Sequence, residues 1–408
     1  MMRKILKIKL HWQILIALIL AVFYGYYLSN YVFLVSWAGE LFLRALKMII
    51  LPLIFSSIIS GVTSMGNGKN LGRLGVKTLS YYMMTSLLAI LTGLLLVNLI
   101  QPGVGVDLGL HQDVKNLTEN TGSVKDIFLR MIPENIIKSM VEGNILAIIF
   151  FAVLFGFFIT QIRTDYKKSL TTFFDAVFEV MMKMTMFIIR FTPLGILGIV
   201  AKEVAQNADQ LASIAGSMAI YMATVASALT IHAFITLPLI VWLIGKSKPY
   251  KHMKNMTTTL LTAFSTSSSS ATLPVTMNAV ENESGVSNKI TSFTLPLGAT
   301  INMDGTALYE CVAAMFIAQV YGIHLGFGDQ LLLVITALLA SVGAAGIPMA
   351  GLVMITVILT ALHLPLEGVG LILAVDRILD MYRTSVNVWS DSCGAVIIAK
   401  SEGEELSV

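Results

Sequence analysis

Charge is what this chain has least of. Asp, Glu, Lys and Arg make up 12% of its 408 residues, about half the share of an ordinary soluble domain. With 56% hydrophobic residues and a mean hydropathy of +0.81, that scarcity excludes a water-soluble globule of this length. The net charge is only +3, so no nucleic-acid partner is expected. Cysteine occurs twice, as Cys311 and Cys393 in apolar segments, which argues against a disulfide framework. Six histidines are present, mostly near loops or span ends and without a motif around them.

What the chain has instead is long apolar runs. WQILIALILAVFYGYYL (12–28) and SLLAILTGLLLVNLI (86–100) are two of them, and a helix crossing a bilayer needs about 20 such residues. No small-residue cleavage site follows the first run, so it reads as a retained span. The basic residues then set the orientation. Arg3, Lys4, Lys7 and Lys9 precede the first span; Lys69, Arg73 and Lys77 follow the second. Arg163, Lys167 and Lys168 follow the fourth, and Lys246, Lys248, Lys251 and Lys254 the sixth. The alternate loops, near 101–135 and 201–210, are mixed or acid-leaning. Six spans with every second loop basic, an outward span near 288–320 and a returning span near 368–398 place both termini in the cytoplasm. The expected class is an all-α polytopic protein of the cell membrane, inner or plasma, in contact with lipid.

Two segments do not fit simple spans. In 255–287, AFSTSSSSATLP sets six hydroxyls in a row, Ser265 to Ser270, ahead of Pro274. In 328–366, ASVGAAGIPMAG carries Pro348 amid small residues. Each has a small or hydroxyl-rich tip between apolar halves, which reads as a re-entrant hairpin. Non-helical backbone at membrane depth survives only where protein or a watery cavity satisfies it. Two such segments entering from opposite faces point to a midplane site between inverted repeats.

The last span carries the strongest chemical signal. Asp376, Asp380, Arg383, Asn387 and Asp391 project within an arc of about 80° on an α-helix. Intramembrane charges face the protein interior and usually work. Three carboxylates against one inward arginine leave negative charge that bound cations would balance. In the preceding span, NMDGT (302–306) sets Asn302 and Asp304 two residues apart, about 200° around a helix. They share a site only if the helix unwinds, which Gly305 makes cheap. Unwound carbonyls with a carboxylate are hard oxygen ligands, suited to Na⁺. Tyr82, Thr85 and Ser86 of the third span fall on one face; hydroxyls so placed more often bond back to their own backbone.

Together TSSSSATLP (266–274), NMDGT (302–306), GAAGIP (343–348) and DMYRTSVNVWSD (380–391) resemble the dicarboxylate/amino acid:cation symporter family, over nearly the whole chain. The resemblance implies eight transmembrane helices plus two re-entrant helical hairpins, in a homotrimer working as an elevator. Residues 1–250 would supply scaffold helices, with the third span (74–100) joining a transport core of 251–408. That core would hold the hairpin 255–287, the broken helix 288–320, the hairpin 328–366 and the last helix 368–398. The implied activity is import of L-glutamate or L-aspartate with Na⁺ and H⁺, without enzymatic chemistry or a cofactor. A carrier of the same family for cystine, neutral amino acids or C4-dicarboxylates is the alternative.

Roles transfer position by position. Asp380 would hold the substrate α-amino group, and Arg383 its side-chain carboxylate, beside Thr306. Asn387 and Ser269 would take the α-carboxylate, with Thr384, Gly351 and the carbonyls of Ser267 and Ile347 closing the cage. One cation would sit at Gly298, Asn302, Asn387 and Asp391. A second would sit at the backbone of Thr300, Ser341, Val342 and Ala344, near Met303. A third would use Tyr82, Thr85, Ser86, Asn302 and Asp304. Glu310, one turn past NMDGT, stands where an ionised carboxylate is costly and is the candidate proton carrier; archaeal members have glutamine there. One feature departs from the family. Archaeal members carry an arginine in place of Ser267, and animal members one in place of Met381. Here Arg377, four residues before Met381, is the candidate substitute.

Overall fold

Backbone hydrogen bonds in this chain are closed almost entirely inside helices, the arrangement an apolar surround demands. The computed structural model describes residues 10–64, 69–105, 132–142, 144–206, 211–343 and 350–408, and among them there is no β-strand. The N-terminal basic cluster, most of the 101–135 loop and most of the GAAGIP tip lie outside the described residues.

The first half consists of α1 (Leu10–Tyr27), α2 (Phe33–Ser64), α3 (Lys69–Ile100), α4 (Ile136–Glu142), α5 (Ile145–Gln161), α6 (Thr164–Ile189), α7 (Thr192–Gln206) and α8 (Leu211–Ile231). A π-helical turn, His232–Thr236, joins α8 to α9 (Leu237–Leu243). Phe33–Thr63, Arg73–Ile100 and Gly216–Leu243 are each long and apolar enough to cross a membrane, and α6 with α7 forms a fourth such stretch bent by 53°. Apolar side chains such as Phe33, Trp37, Leu95, Leu99, Phe187 and Trp242 face outward from these helices, as a lipid surround permits.

The second half contains α10 (Pro249–Asn255), α11 (Thr257–Thr266), α12 (Ser269–Asn282), α13 (Asn288–Ile301), α14 (Asp304–Val320), α15 (Phe327–Gly343), α16 (Ala350–Ala361) and α17 (Val369–Ser401). Each of the two segments read as hairpins holds a pair of helices that pack on each other, α11–α12 and α15–α16. The serine run explains the first turn. Ser267 adopts the left-handed conformation (φ 50°, ψ 35°), and Ser268 caps α12 by accepting from the Ala271 N–H at 3.2 Å. The Ser268 N–H donates to Thr266 Oγ1 at 3.3 Å. Hydroxyls here take the place of water at two helix ends.

The break in the 288–320 span falls at Asn302 and Met303, between α13 and α14. Gly305 lies inside α14. Its glycine is required by close packing instead: a Cβ there would stand 2.6 Å from the Arg383 carbonyl oxygen. α14 is the buried axis of this half, with every residue except Gln319 buried.

Packing divides the helices. α1 and α2 pack on α7, and α2 also packs on α5 and α6. α3 packs on α14, α8, α15 and α17. α17 packs on α8 and on α11 through α14. Leu53, Ile54 and Ile58 of α2 meet Met303, Ala340, Met354 and Val357 in a separate apolar cluster.

Candidate substrate and cation site

The first cluster forms where α3, α13, α14 and α17 converge, and its centre is Asp304. Ser86 Oγ donates to Asp304 Oδ1 at 2.6 Å, and Thr85 Oγ1 lies 3.3 Å from the same oxygen. Ser390 Oγ donates to Asp304 Oδ2 at 2.6 Å, and His232 Nε2 lies 3.2 Å from it. The Asn302 amide donates to Asp391 Oδ1 at 2.9 Å and to Ser390 Oγ at 3.0 Å. Thr85 Oγ1 also lies 3.4 Å from Asn302 Oδ1. The helix break therefore brings Asn302 and Asp304 to one site. Tyr82, whose hydroxyl donates to the Thr294 carbonyl at 2.8 Å, borders it. All these side chains are buried. Two glycines allow the approach: a Cβ on Gly298 would lie 2.5 Å from Asp391 Oδ1, and one on Gly394 would lie 2.8 Å from the Tyr81 ring. The chemistry is two carboxylates, an amide and several hydroxyls, a hard oxygen set suited to an alkali cation.

The second cluster surrounds Arg383. Its Nε and Nη2 donate to Asp380 Oδ1 at 3.1 and 2.8 Å. Its Nη1 lies 3.1 Å from Asp376 Oδ1. The guanidinium stacks 4.1 Å above the Tyr309 ring, whose hydroxyl donates to Asp376 at 2.6 Å. Arg377 Nη1 stands 3.7 Å from Asp380 Oδ2. Gly351 belongs here because a Cβ would meet the guanidinium at 2.8 Å. Glu310 is fully buried, and neither of its carboxyl oxygens has a hydrogen-bond partner. Thr384 Oγ1 bonds back to the Asp380 carbonyl at 2.7 Å.

Asn387 lies between Arg383 and Asp391 on α17 and bonds to residues flanking Asp304. Its Oδ1 accepts from the Gly305 N–H at 2.7 Å, and its amide donates to Thr306 Oγ1 at 3.1 Å and to Met303 Sδ at 3.3 Å. Ser267 and Ser269 are buried at the turn between α11 and α12, both of which pack on α17. The Ser267 hydroxyl is buried without a partner.

The set of Thr300, Ser341, Val342 and Ala344 is only partly described. Thr300 is exposed, its hydroxyl bonded to the Leu297 carbonyl at 2.9 Å. Ser341 is buried, its hydroxyl on the Leu338 carbonyl at 2.8 Å. Val342 lies in α15, and Ala344 and Ile347 lie outside the described residues. Sequence reasoning missed His232, Ser390 and Tyr309. Ser390 was within reach: it projects about 20° from Arg383 on the same helix.

Comparison with known proteins decides the family. The description of the sodium:dicarboxylate symporter family matches residues 10–401. The chain belongs to that family. An excitatory amino acid transporter of Caenorhabditis elegans is 39% identical over 409 residues, covering 89% of this chain and 80% of its own. Excitatory amino acid transporter 3 of Homo sapiens is 37% identical over 425 residues, covering 92% and 80%. One from Onchocerca volvulus is 38% identical over 409 residues, covering 89% and 82%. As a member of a symporter family the chain is a membrane transporter and not an enzyme.

Proposed function

We propose that this family member imports L-glutamate, L-aspartate or both, driven by Na⁺ and H⁺. The observation that carries the reading is the buried Arg383, flanked by Asp380 and Asp376 on the same helix that brings Asp391 to the hard-oxygen cluster of Asp304. A guanidinium in such a place selects a carboxylate, and an acid one turn away offers a partner for an ammonium. The names of the relatives favour acidic amino acids. Na⁺ is cargo, held at the Asp304 and Asp391 clusters; Glu310 carries the proton. The residue roles implied by the resemblance are adopted here for substrate and cations alike.

The architecture we infer is eight spans and two re-entrant hairpins with inverted repeats, in a homotrimer of the cell membrane with cytoplasmic termini. The core of 251–408 with α3 moves as an elevator against the remaining helices. Packing supports grouping α3 with the core, since it contacts α14, α15 and α17. We place α8 there as well, because it packs on α3, α14 and α17. The family's description also names dicarboxylates, which keeps a C4-dicarboxylate carrier as a second reading.

Uptake into proteoliposomes tests the proposal. Labelled glutamate, aspartate and succinate are compared under imposed Na⁺, H⁺ and K⁺ gradients in turn. Na⁺-driven accumulation of glutamate or aspartate is the expected result. Accumulation of succinate in place of both would establish the second reading.

A further inference from the structure

Three helices that converge on the Asp304 cluster are tied together again at their other ends. α3 brings Tyr82, Thr85 and Ser86; α13 brings Gly298 and leads to Asn302; α17 brings Ser390 and Asp391. Between about 8 and 23 Å away along each helix, at 1.5 Å per residue, all three meet the segment that follows α17. Glu402 receives Lys77 Nζ at 2.6 Å and Arg73 Nη2 at 2.5 Å, both from the first turns of α3. Lys77 also donates to the Ser401 carbonyl at 3.1 Å and hydroxyl at 3.0 Å. Glu404 caps α13: the Ser287 N–H donates to it at 3.0 Å, and the Ser287 hydroxyl bonds its other oxygen. Ser407 then fastens to the base of the serine hairpin. Its N–H donates to the Ser284 carbonyl at 3.1 Å and its hydroxyl to the Glu283 carbonyl at 2.7 Å. Lys251 Nζ donates to the Ser407 carbonyl at 2.5 Å. Gly285, at φ 80°, leaves room: a Cβ would stand 3.1 Å from the Ser407 nitrogen.

We propose that residues 402–408 are a positioning strap, with Glu402 and Glu404 holding α3, α13 and α17 in the register that assembles the cation cluster. The proposal rests on reading that cluster as a cation site. Stability alone does not account for the strap. Arg73 is 73% exposed, and exposed ion pairs contribute about 0–1 kcal/mol. What the segment supplies is geometry. It bonds to each of the three helices at its cytoplasmic end, and a rigid helix transmits a shift there along its axis to the ligands. A carboxylate at the α13 N-terminus and cations near the α17 C-terminus also suit the two helix dipoles.

The test is a Na⁺ titration of the purified full-length protein without substrate, read by tryptophan fluorescence, since Trp389 neighbours Ser390 in sequence. A thermal melt at saturating Na⁺ runs in parallel. The paired variant Glu402→Gln with Glu404→Gln should raise the half-saturating Na⁺ concentration at least threefold. A merely structural strap would lower the melting midpoint and leave the half-saturation unchanged, and that result overturns the proposal. Should the pair fail to assemble, Glu404→Gln alone is titrated; it keeps both ion pairs of Glu402, and an unchanged half-saturation overturns the proposal equally. A wild-type protein without any Na⁺ response would overturn the cation-site reading and the strap's role with it. That outcome is distinct from a responsive wild type whose variants titrate alike.

Discussion

Arg383 and Asp380 face each other across one helical turn, with two guanidinium N–H groups converging on one carboxylate oxygen at 3.1 and 2.8 Å. Asp376 and the Tyr309 ring occupy two further sides of the guanidinium. The arginine is therefore held rigidly. Under the proposed function, its guanidinium would receive the substrate's side-chain carboxylate and Asp380 its ammonium group. Truncating one member of a buried charge pair costs about 2–5 kcal/mol, and 1.4 kcal/mol is about tenfold in affinity. Arg383→Cys should lower glutamate and aspartate affinity at least tenfold and admit neutral substrates. Wild-type affinity for acidic amino acids in that variant would rule out the assignment.

Glu310 is buried with neither carboxyl oxygen bonded. An ionised carboxylate in that condition is costly, which is the ground for proposing Glu310 as the proton carrier. In proteoliposomes with a Na⁺ gradient, an added inward proton gradient should stimulate uptake. Glu310→Gln should abolish that stimulation and leave Na⁺-dependent substrate binding intact. A variant that still answers the proton gradient would refute the role.

Gly298 tests the cation cluster by steric means. A Cβ there would meet Asp391 Oδ1 at 2.5 Å and the Tyr82 hydroxyl at 2.7 Å. Both are buried and bonded, so Gly298→Ala should displace Asp391 and weaken Na⁺ dependence of substrate binding by several-fold. Asp391→Asn should do the same by removing the charge. Substrate affinity that is flat across Na⁺ concentrations in the wild type would sink the cation reading itself.

The sequence made the polar stripe of the last helix legible because spacing fixes direction on a helix. Asp376, Asp380, Arg383, Asn387 and Asp391 group on one face from their spacing alone. It also made the NMDGT break legible, since Asn302 and Asp304 cannot share a site on an intact helix. Partners drawn from distant helices were not legible. His232 reaches Asp304 only because the π-helical turn and the packing of α8 on α14 place it there. Tyr309 lies beside Glu310 in sequence, yet its part is to stack on Arg383, a contact across two helices. The sequence at Gly305 suggests only a cheap helix break, whereas its close approach to the Arg383 carbonyl is a tertiary requirement. The strap was invisible for the same reason: nothing in SEGEELSV names Arg73, Ser287 or Lys251 as its partners.

Acid should loosen that strap. The hydrogen bond from Lys77, with help from Arg73, holds the Glu402 carboxyl below its usual pKa, against a smaller opposing effect of burial. A carboxyl whose pKa is lower in the folded than in the unfolded chain stabilises the fold fully above the unfolded value. That stabilisation fades as pH falls through the carboxylate range, and it is gone below the lowered folded value. At neutral pH, Glu402→Gln should therefore melt at a lower temperature than the wild type. Between pH 7 and pH 3 the two melting curves should converge, because the wild type loses an ionised Glu402 that the variant never had. Melting of the purified protein across that range checks the expectation. A difference between the two proteins that persists undiminished at pH 3 would show that the Glu402 contact does not depend on its charge.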